Sequence, residues 1–95
     1  MYIAVRRYKV KAGSTDELAR RAQEGFVPLI RQTPGYVAYY GVASGNDSLF
    51  TISIFQDQAG AEESSRRAAT WVNQNIAEFL EGPPEITAGE VRWSS

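Results

Sequence analysis

Five side chains in this sequence have types and spacings suited to small-molecule chemistry: Arg6, Tyr8, Tyr40, Trp71 and Asn75. Arg6 lies in a run whose same-parity neighbours are Tyr2, Ala4 and Tyr8, where a fixed planar charge could clamp a phenolate or carboxylate. The same guanidinium would serve as half of an ion pair at a surface or a dimer interface. Tyr8, Tyr36 and Tyr40 offer phenolic donors to a pocket, or amphipathic packing at a sheet edge or interface. Trp71 could stack on a flat ligand or fill a gap between helix and sheet. Asn75 stands one helical turn further on and could share its pocket, whereas Asn73 and Asn75 equally suit a solvated helix face. Glu62 and Glu63 read as solvent-side charges, not as an acid/base pair. These residues define a candidate binding set for a planar aromatic ligand, and no catalytic group is singled out.

What is missing is as informative. The chain has no Cys and no His. Disulfides, thiol nucleophiles and thiolate metal sites are therefore excluded, and so are the commonest general base, zinc ligand and proximal haem ligand. No metal and no cofactor are expected. Net charge is -1, which gives nucleic acid no electrostatic hold. The charge is uneven, with seven Arg or Lys against three acids in residues 1–33 and three against eight in the remainder. At physiological salt such a split is weak as an assembly signal. No apolar run approaches the roughly 18 residues of a membrane span. A strand pattern begins at once, with no signal-like apolar segment, so no membrane partner and a cytoplasmic location are expected.

The elements that must position the candidates follow from periodicity. Ninety-five residues with 43% hydrophobic and 22% charged composition suit one globular domain, residues 1–95. Tyr2 to Val10 alternates as a strand, Ile3 and Val5 on one face and Tyr2, Ala4, Arg6, Tyr8 and Val10 on the other. Ser14-Thr15-Asp16-Glu17 fits a capping box, and Leu18, Ala22, Phe26, Leu29 and Ile30 form the stripe of the helix that follows. Pro28 cannot donate to the Glu24 carbonyl, which predicts a kink or break there. Thr33-Pro34-Gly35-Tyr36 ends the helix and opens a hairpin that reverses at Ser44-Gly45-Asn46-Asp47. In its second strand Phe50, Ile52 and Ile54 make an apolar face, while Leu49, Thr51, Ser53 and Phe55 are mixed. Asp57 is the expected N-cap of a second helix with Ala61, Ala68, Val72, Ile76, Phe79 and Leu80 buried and Trp71 beside that stripe. Gly82-Pro83-Pro84 ends it, and a last strand is expected from Ile86 to Trp93.

The order βαββαβ points to an α+β, ferredoxin-like fold: a four-stranded antiparallel sheet with two helices on one face. The uncovered face should then be polar, but neither parity of the first two strands is. That mismatch predicts a homodimer joined sheet to sheet.

The segment Phe26-Val27-Pro28-Leu29-Ile30-Arg31-Gln32-Thr33-Pro34-Gly35-Tyr36, within a layout covering essentially all 95 residues, resembles the antibiotic biosynthesis monooxygenase-like domains of the dimeric α+β barrel superfamily. The resemblance implies a pocket in each protomer between sheet and helices. It also implies cofactor-free oxidation of aromatic polyketides by dioxygen in some members and haem degradation in others. The haem-degrading branch uses a helix His and a first-strand Asn; here there is no His, and the first strand reads Ala4-Val5-Arg6-Arg7-Tyr8. Two expectations follow. One is a cofactor-independent monooxygenase, or related small-molecule enzyme, acting on a planar phenolic substrate. The other is a non-catalytic dimeric module for small-molecule binding or stress response, with a core filled solid around Phe26, Phe50 and Phe79.

Overall fold

A computed structural model describes residues 1–45 and 47–95; Asn46 of the expected hairpin turn lies outside the described residues. Strand β1 (Tyr2–Lys9) leads into α1 (Thr15–Arg21), a π-helical turn (Ala22–Phe26) and α2 (Val27–Arg31). The hairpin β2 (Tyr36–Ser44) and β3 (Ser48–Phe55) follows, then α3 (Gln58–Asn75), a 3-10 turn (Ala77–Phe79) and β4 (Glu85–Glu90). The sheet runs β2-β3-β1-β4, every neighbouring pair antiparallel. This is the expected ferredoxin-like βαββαβ arrangement. Among the described residues no helix is long and apolar enough to cross a membrane.

Strict alternation decides what β1 and β3 bury. Ala4, Arg6 and Tyr8 of β1 and Leu49, Thr51, Ser53 and Phe55 of β3 are buried, so the mixed face of β3 is the one under the helices. Ile3 and Val5 register with Ile54 and Ile52 on the opposite, uncovered face. Strand β2 departs from simple alternation. Tyr36 pairs with Phe55 but Ala38 with Ile54, so one extra residue, Val37, is accommodated as a bulge. Tyr36 therefore packs on the helix side against the Phe55 ring, at 6.1 Å. Tyr40 and Val42, in register with Ile52 and Phe50, belong to the open face, so Tyr36 does not share the side of Ala38, Tyr40 and Val42.

The capping box does not form. Ser14 has helical backbone angles and makes no side-chain cap bond. The Glu17 carboxylate instead accepts from Arg20 and, at 2.9 Å, from Arg21. Two charge-assisted bonds outcompete one reciprocal bond to the backbone. The disturbance expected at Pro28 takes a specific form. The Val27 N–H reaches back to the Ala22 carbonyl, widening one turn to π geometry, and Pro28 then sits in the first turn of α2, where a missing N–H is tolerated. Gly25, within that wide turn, lies so close to Trp71 that an added Cβ would stand 3.0 Å from the indole Nε1.

At the other end Asp57 caps α3, accepting from the Gly60 N–H at 2.9 Å as expected. Gly60 weakens the first turn by propensity but is required by packing. A Cβ there would stand 2.6 Å from the Pro34 carbonyl oxygen. Helix α3 stops at Asn75, before Gly82-Pro83-Pro84, because the chain tightens through the 3-10 turn into an isolated bridge between Val10 and Leu80. Strand β4 ends at Glu90, short of the expected Trp93, whose side chain is 87% exposed.

Two core clusters result, one around Tyr8, Val10, Leu18, Leu49 and Ile76, the other around Phe26, Ile30, Phe55, Ala61 and Ala68. Trp71 packs against both. Gly60→Ala is expected to destabilise by about 1–3 kcal/mol despite the better helix propensity of Ala, because backbone cannot yield as a side-chain tip can. Asp57→Ala should cost about 1 kcal/mol. Urea denaturation of the two variants measures both, and a stabilised Gly60→Ala protein would contradict the packing described.

Candidate active site

Where the two core clusters meet, the layers do not close completely. A cavity of about 30 Å³ remains, walled by Arg6, Tyr8, Tyr39 and Thr51 from the sheet and by Phe26, Trp71 and aliphatic side chains from the helices. It is about the space of a single water molecule. Phe26 joins its aromatic walls, with ring centroids 5.5 Å from Tyr39 and 5.6 Å from Trp71. Arg6 and Tyr8 also form one wall of a larger cleft, about 670 Å³, that opens between α3, Gly82-Pro83-Pro84 and Ile86 of β4. On the far side Tyr39, Thr51 and Leu49 separate the cavity from a groove of about 310 Å³ beside α1.

Arg6 dominates the electrostatics. It is 5% exposed, Nη2 has no hydrogen-bond partner, and no carboxylate among the described residues pairs with it. Neither the cavity nor the large cleft is lined by any Asp or Glu. Four arginines of the helices are paired: Arg20 and Arg21 with Glu17, Arg66 and Arg67 with Glu63. Those bonds hold Glu17 and Glu63 below the usual carboxylate range, Arg20 and Arg66 contributing most. Burial pushes the Tyr8 phenol up, with the Arg6 charge opposing. Tyr39 is pushed further up, first by burial and then by Tyr8, against a hydrogen bond with Thr51 and the charge of Arg6. Both phenols therefore stay protonated near neutral pH. The arrangement can donate to an anion and stabilise it; it holds no group that accepts a proton readily.

Of the residues singled out in the sequence, Arg6, Tyr8 and Trp71 come together around this cavity. Tyr40 does not. It is 57% exposed on the open face of the sheet, because the bulge at Val37 and strand alternation turn Tyr39 inward in its place. Asn75 is also outside. Its amide folds back on its own helix to donate to the Trp71 carbonyl at 2.9 Å, and its own carbonyl accepts from Arg21. Arg6 is buried, and no carboxylate among the described residues pairs with it. Tyr39 and Thr51 were not singled out, and Phe26 was read only as core packing between helix and sheet. The signal for Thr51 was its polar character on a strand face otherwise carrying Leu49 and Phe55. The core is not solid around Phe26, Phe50 and Phe79: Phe50 lies on the open face, with the Arg7 guanidinium 5.3 Å from its ring centre.

Among curated proteins nothing matches the chain. Solved structures share the fold throughout. A protein of unknown function, NE2512 of Nitrosomonas europaea, has 23% identity and a TM-score of 0.85, the alignment covering 99% of this chain and 91% of that one. The monooxygenase from ActVA-Orf6 of Streptomyces coelicolor, in complex with the ligand Nanaomycin D, has 18% identity and a TM-score of 0.81, covering 99% and 89%. SnoaB, a cofactor-independent oxygenase from Streptomyces nogalater, has 12% identity and a TM-score of 0.75, covering 98% and 94%. The sequence profile described as Antibiotic biosynthesis monooxygenase matches residues 1–70, from β1 through most of α3 and including Arg6, Tyr8, Tyr39 and Thr51. A match over that much of the chain, joined to the shared fold, makes the protein a member of the antibiotic biosynthesis monooxygenase family.

Proposed function

We propose that the protein is a cofactor-independent monooxygenase that binds a planar phenolic substrate as its anion, with the ring in the large cleft and its oxygen against Arg6. The observation that carries this reading is the buried, unpaired Arg6 guanidinium, which lines both the cleft and the inner cavity where no carboxylate answers it. An uncompensated buried charge is costly, and an anionic ligand relieves that cost. Tyr8, protonated by burial, supplies a second donor at the same wall. The activities named for the Streptomyces coelicolor and Streptomyces nogalater proteins support the reaction class.

Stoichiometry requires no further redox partner. In an anthrone-type substrate the ring methylene and one dioxygen molecule become a ring carbonyl and one water. Two C–H bonds are lost, one oxygen atom stays on carbon, the other leaves as water, and carbon supplies all four electrons. Electron-rich phenolates and enolates reduce dioxygen readily, so what remains for the protein is binding, orientation and stabilisation of negative charge.

One observation favours a second reading, a non-catalytic dimeric binding module. The inner cavity, at about 30 Å³, is too small for an aromatic ring, so a ring must use the cleft or displace Trp71. Both readings share the homodimer. The open face carries Ile3, Val5, Ala38, Tyr40, Val42, Phe50, Ile52 and Ile54 on adjacent strands, an apolar area that a second copy of the sheet would cover.

Arg6→Met is expected to weaken binding of a phenolate at least about 10-fold, as loss of a charge-assisted bond implies. The same change should leave the protein as stable or more so, since it removes a buried charge without a partner. Tryptophan-fluorescence titration with hydroxynaphthalenes and urea denaturation give the two readouts; undiminished affinity would contradict the clamp. Ile52→Asp is expected to convert a dimer to a monomer at micromolar concentration by sedimentation, and a wild-type monomer would overturn the shared-face reading.

A further inference from the structure

We infer that the protein takes its substrate already ionised, selecting phenols and enols acidic enough to lose their proton to water before binding, and that it contributes no base of its own. The inference rests on the phenolate reading above and narrows its substrate class. The groups that face Arg6 support it element by element. On its own strand stands Tyr8, on β2 Tyr39 and on β3, directly opposite, Thr51. On β4 the partner is Ile86. The helices bring only apolar side chains and Trp71 to the cavity, and Ser65, Thr70 and Asn73 to the cleft. None of these accepts a proton near neutrality. The chain has no His or Cys to do so.

An acidic cluster lies at the end of the sheet, where Asp47, Glu81 and Glu85 line a separate groove with Arg7 and Lys9. That groove touches Tyr8 but not Arg6. Glu85 is also in register with Arg7, so it belongs to the open face. A proton on a phenol oxygen at Arg6 thus has no carboxylate to go to. Water is the acceptor: the phenol O–H bond breaks, its electron pair stays on the phenolate oxygen, and the proton leaves as hydronium. The step is complete in solvent. Arg6 then discriminates, because a neutral phenol leaves its charge uncompensated and an anion does not. Tyr8 and Tyr39, both held protonated by burial, strengthen that preference as donors.

The test uses the intact protein and redox-inert nitro-substituted phenols and naphthols of graded acidity, titrated by ligand absorbance between about pH 5 and pH 9, where the raised phenols of Tyr8 and Tyr39 stay protonated. Affinity should fall below each ligand's own pKa, about tenfold per pH unit, and be level above it, the limb moving with the ligand. Tyr8→Phe should leave the limb where it is, and Arg6→Met should flatten it. A limb at one pH common to all ligands, or equal affinity for neutral and ionised forms, would overturn the inference while leaving an aromatic site intact. Absence of saturable binding at any pH would overturn the phenolate reading itself, and this inference with it.

Discussion

A guanidinium sits in the sheet of this protein, almost fully buried and, among the described residues, without a counter-ion. Arginine has no neutral form to retreat to, so the cost of removing Arg6 from water stands until something negative or strongly dipolar approaches. The surrounding architecture tolerates that cost through its two aromatic and aliphatic clusters, and leaves space next to the charge. An all-apolar residue at this position would pack a chain of this size more comfortably. A position that lowers stability where a ligand would restore it is the physical signature of a site.

Trp71 connects that charge to the scaffold. Its indole spans the two core clusters, lies against the backbone of Gly25 and closes the cavity opposite Arg6. The π-helical turn and Pro28 meet at the same place: the widened turn lets α2 begin with Pro28 in its first turn while presenting Gly25 to the ring. At the other end of α3, Gly60 under the Pro34 carbonyl and the Asp57 cap fix where the helix begins, and so the height at which Trp71 stands over the sheet. The cavity is thus set by contacts distributed over three connections.

Much of this was legible before the structure. The βαββαβ order, the alternation of β1 and the Asp57 cap follow from local pattern, because alternation and capping residues act within a few positions. Which face of β1 lies under the helices does not, since both parities carry apolar residues and the structure buries Ala4, Arg6 and Tyr8. The segment from Phe26 to Tyr36 identified the family, whose profile the chain matches. Two local readings failed for reasons that spacing does not carry. Glu17 had arginines within one turn to accept from, so the capping box lost its carboxylate. Val37 was not readable as a bulge, and one extra residue in β2 placed Tyr39 in the cavity and Tyr40 on the outside. Arg6 was recognised as unusual, but its lack of a partner depends on which acids the fold brings near, and that is a tertiary property. Asn75 was placed by helical spacing, while its amide satisfied the nearest backbone carbonyl instead.

The protein's chemistry therefore hinges on whether the negative charge missing from Arg6 arrives with the substrate. A crystal structure of the protein with a redox-inert nitronaphthol, prepared above the ligand's pKa, tests this most directly. The account predicts the ring in the cleft between α3 and Gly82-Pro83-Pro84, with the phenolate oxygen about 2.7–2.9 Å from an Arg6 guanidinium nitrogen. A ligand seated elsewhere, or one in the cleft with its oxygen turned to solvent and Arg6 still unpaired, would contradict it.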